Sequence, residues 1–168
     1  GFVDVTTIRQ AEIDKDRALI RELFWEYLEW ANGRLTEEYR ISLDIPSILE
    51  RDMDNLEVFL PPHGRLLRAI DGNITVGITC MRRIRQDIGE IKRMYVRPEF
   101  HGRGIGRSLL DALILEARKI GYPTLRLDST RFMKIAHALY RSAGFHEIKP
   151  YEESEIPVQY QKHWIFME

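Results

Sequence analysis

The chain has 168 residues, 44% of them apolar and 30% charged, which suits one soluble globular domain long enough to bury a core. A formal net charge of −1 argues against a general nucleic-acid or membrane-surface binder, although a local basic patch is compatible with it. A single cysteine, Cys80, excludes an internal disulfide framework, and no apolar run reaches the length of a membrane-spanning helix.

The first residues lack the charged-then-apolar plan of a signal peptide, so a reducing, cytoplasmic setting is the expectation. Phe2 to Arg9 alternates apolar and polar residues and predicts a strand. Asp14 or Asp16 is placed to cap a following helix. Its apolar positions Leu19, Ile20, Leu23, Phe24, Tyr27, Leu28 and Ala31 recur at three and four, and Gly33 is read as its end. Pro46 opens a shorter helix to about Asn55, and LPPHG at Leu60 to Gly64 is a turn. RLLRAI and NITVGITCMRRI form a hairpin around Asp71-Gly72, and the Gln86-Asp87 turn leads to a third strand, Ile88 to Val96.

Pro98 leads into a loop with Gly102, Gly104 and Gly106. A helix follows with Leu109, Leu110, Leu113, Ile114 and Ala117 on one face. Gly121 and Pro123 punctuate the chain before the strand TLRLDS. The intervening helix predicts that this strand runs parallel to Ile88–Val96 through a right-handed crossover. Met133 to Ser142 is a short helix ended by Gly144, FHEI a strand, Lys149 to Glu155 a Glu-rich loop, and His163 to Met167 the last strand. The order β-α-α-β-β-β-α-β-α-β-β predicts a mixed-sheet α/β domain over residues 1–168.

Glycines at a helix entrance let the backbone approach a ligand with no Cβ in the way. The unpaired N–H groups of the first turn point outward, and the macrodipole adds partial positive charge. Arg103 and Arg107 reinforce that sign. Such an entrance receives phosphate or pyrophosphate; the alternative is a tight turn that happens to use glycine. A P-loop fails because no Lys-Ser or Lys-Thr follows. A Rossmann G-x-G-x-x-G fails at Arg107 counted from Gly102 and at Leu109 counted from Gly104. Arg82, Arg83, Arg85, Lys92, Arg93 and Arg97 are expected to join Arg103 and Arg107 around this loop.

The string HGRGIG at His101–Gly106 resembles the acyl-CoA pyrophosphate loop of the GCN5-related N-acetyltransferases (GNAT), Arg/Gln-x-x-Gly-x-Gly/Ala. Flanking EIKRMYVRP, ARKIGY, LRLD and ALYRSAGF extend the resemblance over about Leu66 to Tyr151. The resemblance implies a mixed, mostly antiparallel central sheet flanked by helices, with a parallel strand pair splayed at the acyl-CoA site. It implies transfer of the acetyl group of acetyl-CoA, as co-substrate, to a primary amine by direct attack in a ternary complex. Two alternatives stand beside it: a non-catalytic acyl-CoA sensor of the same fold, and an enzyme using the loop for another nucleotide.

Carried onto this sequence, the resemblance places the pantetheine arm on Met94, Tyr95 and Val96. It places the diphosphate on His101, Gly102, Arg103, Gly104, Ile105, Gly106, Arg107 and Ser108. Tyr140 falls in the slot of the acid that protonates the departing thiolate. A phenol, which ordinarily titrates at about 10, is a feasible donor to a thiolate whose thiol titrates at about 8.5. The structural alternative is a Tyr on an apolar face with Ile135, Ala136 and Leu139. Glu90, eleven residues before His101, matches a strand Glu that takes the amine's proton through water; otherwise it pairs with a neighbouring arginine or binds the ammonium. His101 departs from the usual Arg or Gln. Met133 stands where many members carry an Asn that contacts pantetheine.

Cys80 is expected to be a buried small hydrophobe. His63, His137, His146 and His163 lack metal-ligand spacing, so no metal is expected. Asp128 reads as the end of its strand rather than a ribose ligand. The acceptor, a small-molecule or peptide amine, is expected between Trp30–Leu43 and Pro150–Tyr160. There Glu152, Glu153 and Glu155 could attract a cation, and Trp30, Arg34, Tyr39 and Tyr151 could shape the pocket. No nucleic acid or membrane partner is implied, and a homodimer is left open.

Overall fold

The computed structural model describes residues 6–168, so residues 2–5 of the expected first strand lie outside the described residues. That strand is present as β1 (Thr6–Gln10), followed by α1 (Ile13–Tyr39), α2 (Ile45–Asp54), β2 (Arg65–Asp71), β3 (Ile74–Arg85) and β4 (Ile88–Val96). Then come α3 (Ile105–Ile120), β5 (Thr124–Thr130), α4 (Lys134–Ser142), β6 (Glu147–Ile148) and β7 (Trp164–Met167). Among the described residues the strands form a seven-stranded sheet in the order β1-β2-β3-β4-β5-β7-β6. Its pairs are antiparallel except β4–β5, which is parallel.

Period-2 alternation sorts the core onto two faces. Leu67, Ala69, Val76, Met81, Ile91 and Leu127 pack beneath the apolar face of α3 (Ile105, Leu109, Leu110, Leu113, Ala117). Leu66, Ile78 and Cys80 pack against Ile20, Leu23, Phe24 and Leu28 of α1 and Leu49 and Met53 of α2. A third cluster joins Leu35 at the far end of α1 to Tyr151, Trp164 and Phe166.

Of the two acidic residues expected at the start of α1, Asp16 accepts the Glu12 N–H at 2.9 Å, while the N-cap residue Glu12 makes no side-chain cap bond of its own. Two other expectations about the helices need correction. Gly33 does not end α1, which runs on to Tyr39 and stops at Arg40 in the left-handed region. A mid-helix glycine costs roughly 1 kcal/mol, and burial of Leu35 at 1% exposure offsets it. In α4 Tyr140 is buried with Ala136 and Leu139 packed against the core as expected, but Ile135 is 91% exposed and His137 is buried in its stead.

The feature that shapes the site is a bulge. Ile78 pairs with Tyr95 and Cys80 with Lys92, so β4 spends one residue more than β3 between these pairs. Arg93 lies there at φ 56°. Bulges bend and twist a strand. The β4–β5 ladder ends at Ile91–Leu127, just before this kink, and β5 continues against β7 instead. Arg93 is pinned by a two-pronged bond to Asp52 of α2 (Nε–Oδ2 2.8 Å, Nη2–Oδ1 3.0 Å). Both side chains are nearly buried.

Candidate active site

At the α3 entrance Gly102 (φ 80°) and Gly104 (φ 76°) occupy the left-handed region that disfavours side chains, and no atom lies within 4 Å of where either Cβ would stand. Gly104 caps the helix with no side-chain bond, and the first intrahelical bond runs from Ser108 N–H to Gly104 O at 3.0 Å. Buried Ile105 anchors this turn in the core while residues 101–104 stay exposed. The amides at the helix start are therefore presented outward with no side-chain cap. His101 Nε2 stands 2.7 Å from Val96 O and ties the loop to the end of β4.

The expected basic cluster is dispersed. Arg82 turns to Glu90, Arg83 to the Tyr122 hydroxyl, Arg85 to Glu153, Lys92 to Glu155, Arg93 to Asp52, and Arg97 to Glu22 and Glu26. Alternation along β3 and β4 sends these side chains to partners on several elements. At the loop itself, Arg103 stacks over Phe100 (5.1 Å) and lies 3.7 Å from Asp71. Arg107 donates to Asp111 (3.2 Å) and Ser142 (2.8 Å), and Ser108 Oγ donates to Gly104 O (3.2 Å).

Beyond Ile91 the edge of β4 that faced β5 has no strand partner among the described residues, and Met94, Tyr95 and Val96 lie on that stretch. Unpaired backbone groups demand partners. Tyr140 reaches the region from α4. Burial pushes its phenol well above its ordinary pKa, with Tyr27 of α1 and Asp128 of β5 as its ionisable neighbours. Its ring packs edge-on against Phe145 at 5.9 Å, and its hydroxyl makes no hydrogen bond among the described residues. Met133 forms the N-cap of α4 without a capping bond.

Glu90 is fully buried (0% exposed), and both its oxygens are engaged. Arg82 Nε donates to Oε1 at 2.8 Å, and the Tyr151 hydroxyl donates to Oε2 at 2.6 Å. The Glu-rich loop forms a strap over this pair. Glu155 binds Lys92 at 2.7 Å and approaches Arg82 at 3.6 Å, Glu153 binds Arg85, and Arg82 also donates to Glu153 O at 3.1 Å. Burial would raise the Glu155 carboxyl, but Lys92, Arg82 and Arg93 outweigh it and hold its pKa at about 2. Glu153 and Glu155 are thus committed to binding the strap down, and the strap's own Tyr151 is buried.

The surface cleft beside the end of β4, about 450 Å³, is lined by Glu26, Glu29, Trp30, Gly33, Arg34, Glu37 and Tyr95. Of the expected pocket residues, Trp30 and Arg34 line it. Arg34 lies over Phe132 (4.5 Å), which also meets Trp30 and Tyr39. Cys80 is fully buried and its thiol is pushed up by burial, which leaves it unreactive.

Asp52 and Phe132, which stand near the parted strands, are not singled out by the sequence, while Tyr27 reads there only as a core position of the first helix and Asp128 only as a strand end. Asp128 carried a usable signal. The expectation that it ends its strand is corrected, since β5 runs on to Thr130; Asp128 instead follows the last residue of β5 paired with β4, and ligands of parallel sheets bind beyond the strands' carboxyl ends. The others occupy ordinary core or loop positions in the sequence and carry none.

The sheet order, the single parallel pair and the open helix entrance define a mixed α/β fold shared with solved acetyltransferases. PaiA N-acetyltransferase of Thermoplasma acidophilum, solved with coenzyme A, matches with TM-score 0.73 and 19% identity over 97% of both chains. YncA of Salmonella typhimurium, solved with acetyl-CoA, matches with TM-score 0.65 and 20% identity over 97% of this chain and 90% of that one. In sequence, an uncharacterized N-acetyltransferase of Schizosaccharomyces pombe is 29% identical over 153 residues, 90% of this chain and 89% of the relative. The Acetyltransferase (GNAT) family pattern matches residues 17–145, and the chain belongs to that family.

Proposed function

We propose that the chain, as a single domain over residues 1–168, transfers the acetyl group of acetyl-CoA to a primary amine by direct attack in a ternary complex. The observation that carries this reading is the parting of β4 from β5 beside a helix entrance whose amides and glycine backbone face open space. A Cβ at Gly102 or Gly104 would project into that space, where a diphosphate needs close backbone approach. Acetyl-CoA supplies an activated thioester; the chain supplies its grip and alignment.

In this reading the backbone of residues 101–108, with Arg103 and Arg107, holds the diphosphate. The free edge at Met94, Tyr95 and Val96 pairs the amides of the pantetheine arm, and one N–H there holds the negative charge that develops on the thioester oxygen. Tyr140 keeps its proton at any working pH and gives it to the departing sulfur. Glu90 acts as the buried counter-charge of Arg82 rather than as the base, because both its oxygens are taken and none of its surface is exposed. The cleft at Trp30 and Arg34 receives the body of the acceptor.

The test is a panel of alkylamines, amino acids, polyamines and short peptides with acetyl-CoA, read as free thiol. At least one amine should release thiol above the hydrolysis background, and CoA should raise the melting temperature. No stabilisation by millimolar CoA and no thiol from any amine would overturn the reading.

A further inference from the structure

We infer that Asp128 is the carboxylate that receives the acceptor's ammonium group and takes its proton; this rests on the acetyl-transfer reading above. Two carboxylates stand where β4 and β5 part, and they differ in access. Glu90 is sealed and saturated. Asp128 lies one residue beyond the last β4–β5 pair, Ile91–Leu127, and is partly exposed. Its backbone is fixed opposite Phe166 of β7, so the strand holds it rigidly at the mouth of the gap. Among the described residues only Oδ2 has a hydrogen-bond donor, the Ser154 hydroxyl at 3.2 Å, which leaves Oδ1 for a substrate.

The ionisable surroundings come from every element packed around it. β4 contributes Glu90, Lys92 and Arg93; α1 contributes Tyr27, α4 Tyr140 and the strap Tyr151, while Asp52 of α2 faces Arg93. Lys92 and Arg93 are already neutralised by Glu155 and Asp52. Burial, reinforced by Glu90, outweighs Lys92, Ser154 and Arg93 and raises the Asp128 carboxyl above its ordinary range. A raised carboxylate is a better proton acceptor, and the donor Tyr140 lies within its electrostatic reach.

The step balances. One N–H bond of the ammonium breaks and its proton goes to Asp128. The freed lone pair forms the C–N bond while the C=O π pair moves onto the thioester oxygen; that pair then re-forms the C=O bond as the C–S bond breaks. The sulfur takes the Tyr140 proton, the second amine proton replaces it, and Asp128 releases its own to water. One ammonium and one acetyl-CoA give one amide, one free thiol and one proton.

The test is Asp128→Asn, which keeps an acceptor for Ser154, assayed with each amine of the panel that the wild type acetylates. At pH 7 kcat/KM should fall by roughly 100-fold, within the usual worth of a positioned base. The loss should shrink as pH rises toward the amine's own pKa, where no base is needed. CoA affinity should hold, and the melting temperature at pH 7 should stay level or rise, because a carboxyl with a raised pKa is ionised at a cost to the fold. Ser154→Ala should keep most of the rate. A loss independent of pH, a lowered melting temperature for Asp128→Asn, or wild-type rates would each overturn the inference. A wild-type enzyme that acetylates no amine would instead sink the reading on which it rests.

Discussion

The helix entrance at residues 101–108 and the charged floor under Glu90 are built in opposite ways. The entrance is contiguous and made of backbone: glycines free the approach, and the start of α3 presents its amides without a side-chain cap. The floor is made of side chains from β3, β4, β5 and the strap, each held by a partner on another element. A backbone site survives many side-chain changes but fails when space is filled. A side-chain floor fails one partner at a time, and its failures read out in stability as well as rate.

The sharpest way to break that contrast is Gly104→Glu. A side chain at φ 76° is strained, and its negative charge stands in the anion's approach. CoA binding should disappear by calorimetry while the fold persists; unchanged affinity would move the diphosphate elsewhere. Next in size is Glu90→Ala, which strands Arg82 and the Tyr151 hydroxyl and should cost about 3–5 kcal/mol in urea unfolding. A cost below about 1 kcal/mol would show that the floor is not a structural unit.

Tyr140→Phe removes a hydroxyl with no protein partner among the described residues, so stability should hold. Turnover should fall by about 100-fold with CoA affinity unchanged; equal rates at every pH would remove its role as acid. The smallest effect belongs to Glu155→Gln. Its folded pKa of about 2 lies below the ordinary 4.5, so its ion pairs stabilise the fold above pH 4.5 and are lost as pH falls toward 2. The variant should show a shallower loss of melting temperature between those values. An unchanged acid slope would mean that the strap is not held by charge.

Much of the entrance was legible because its meaning is local. HGRGIG, the apolar stripe of α3 and the crossover to TLRLDS state a strand, an open turn and a helix within one stretch of chain. Gly33 misled because local propensity favours a stop there, while Leu35, Tyr151, Trp164 and Phe166 pack only once the chain has folded. The arginines on β3 and β4 misled for the same reason: their partners Asp52, Glu153 and Glu155 are far away in sequence.

By itself, then, the amino-acid order determined the element sequence, the single parallel pair and the open glycine entrance, since these follow from short-range sterics, hydrophobic period and chain connectivity. Tertiary structure alone decided that β4 bulges at Arg93, that Glu90 is sealed beneath Tyr151, and that Asp128 stays within reach of solvent. Access and charge pairing depend on residues brought together across the fold, and no spacing along the chain encodes them.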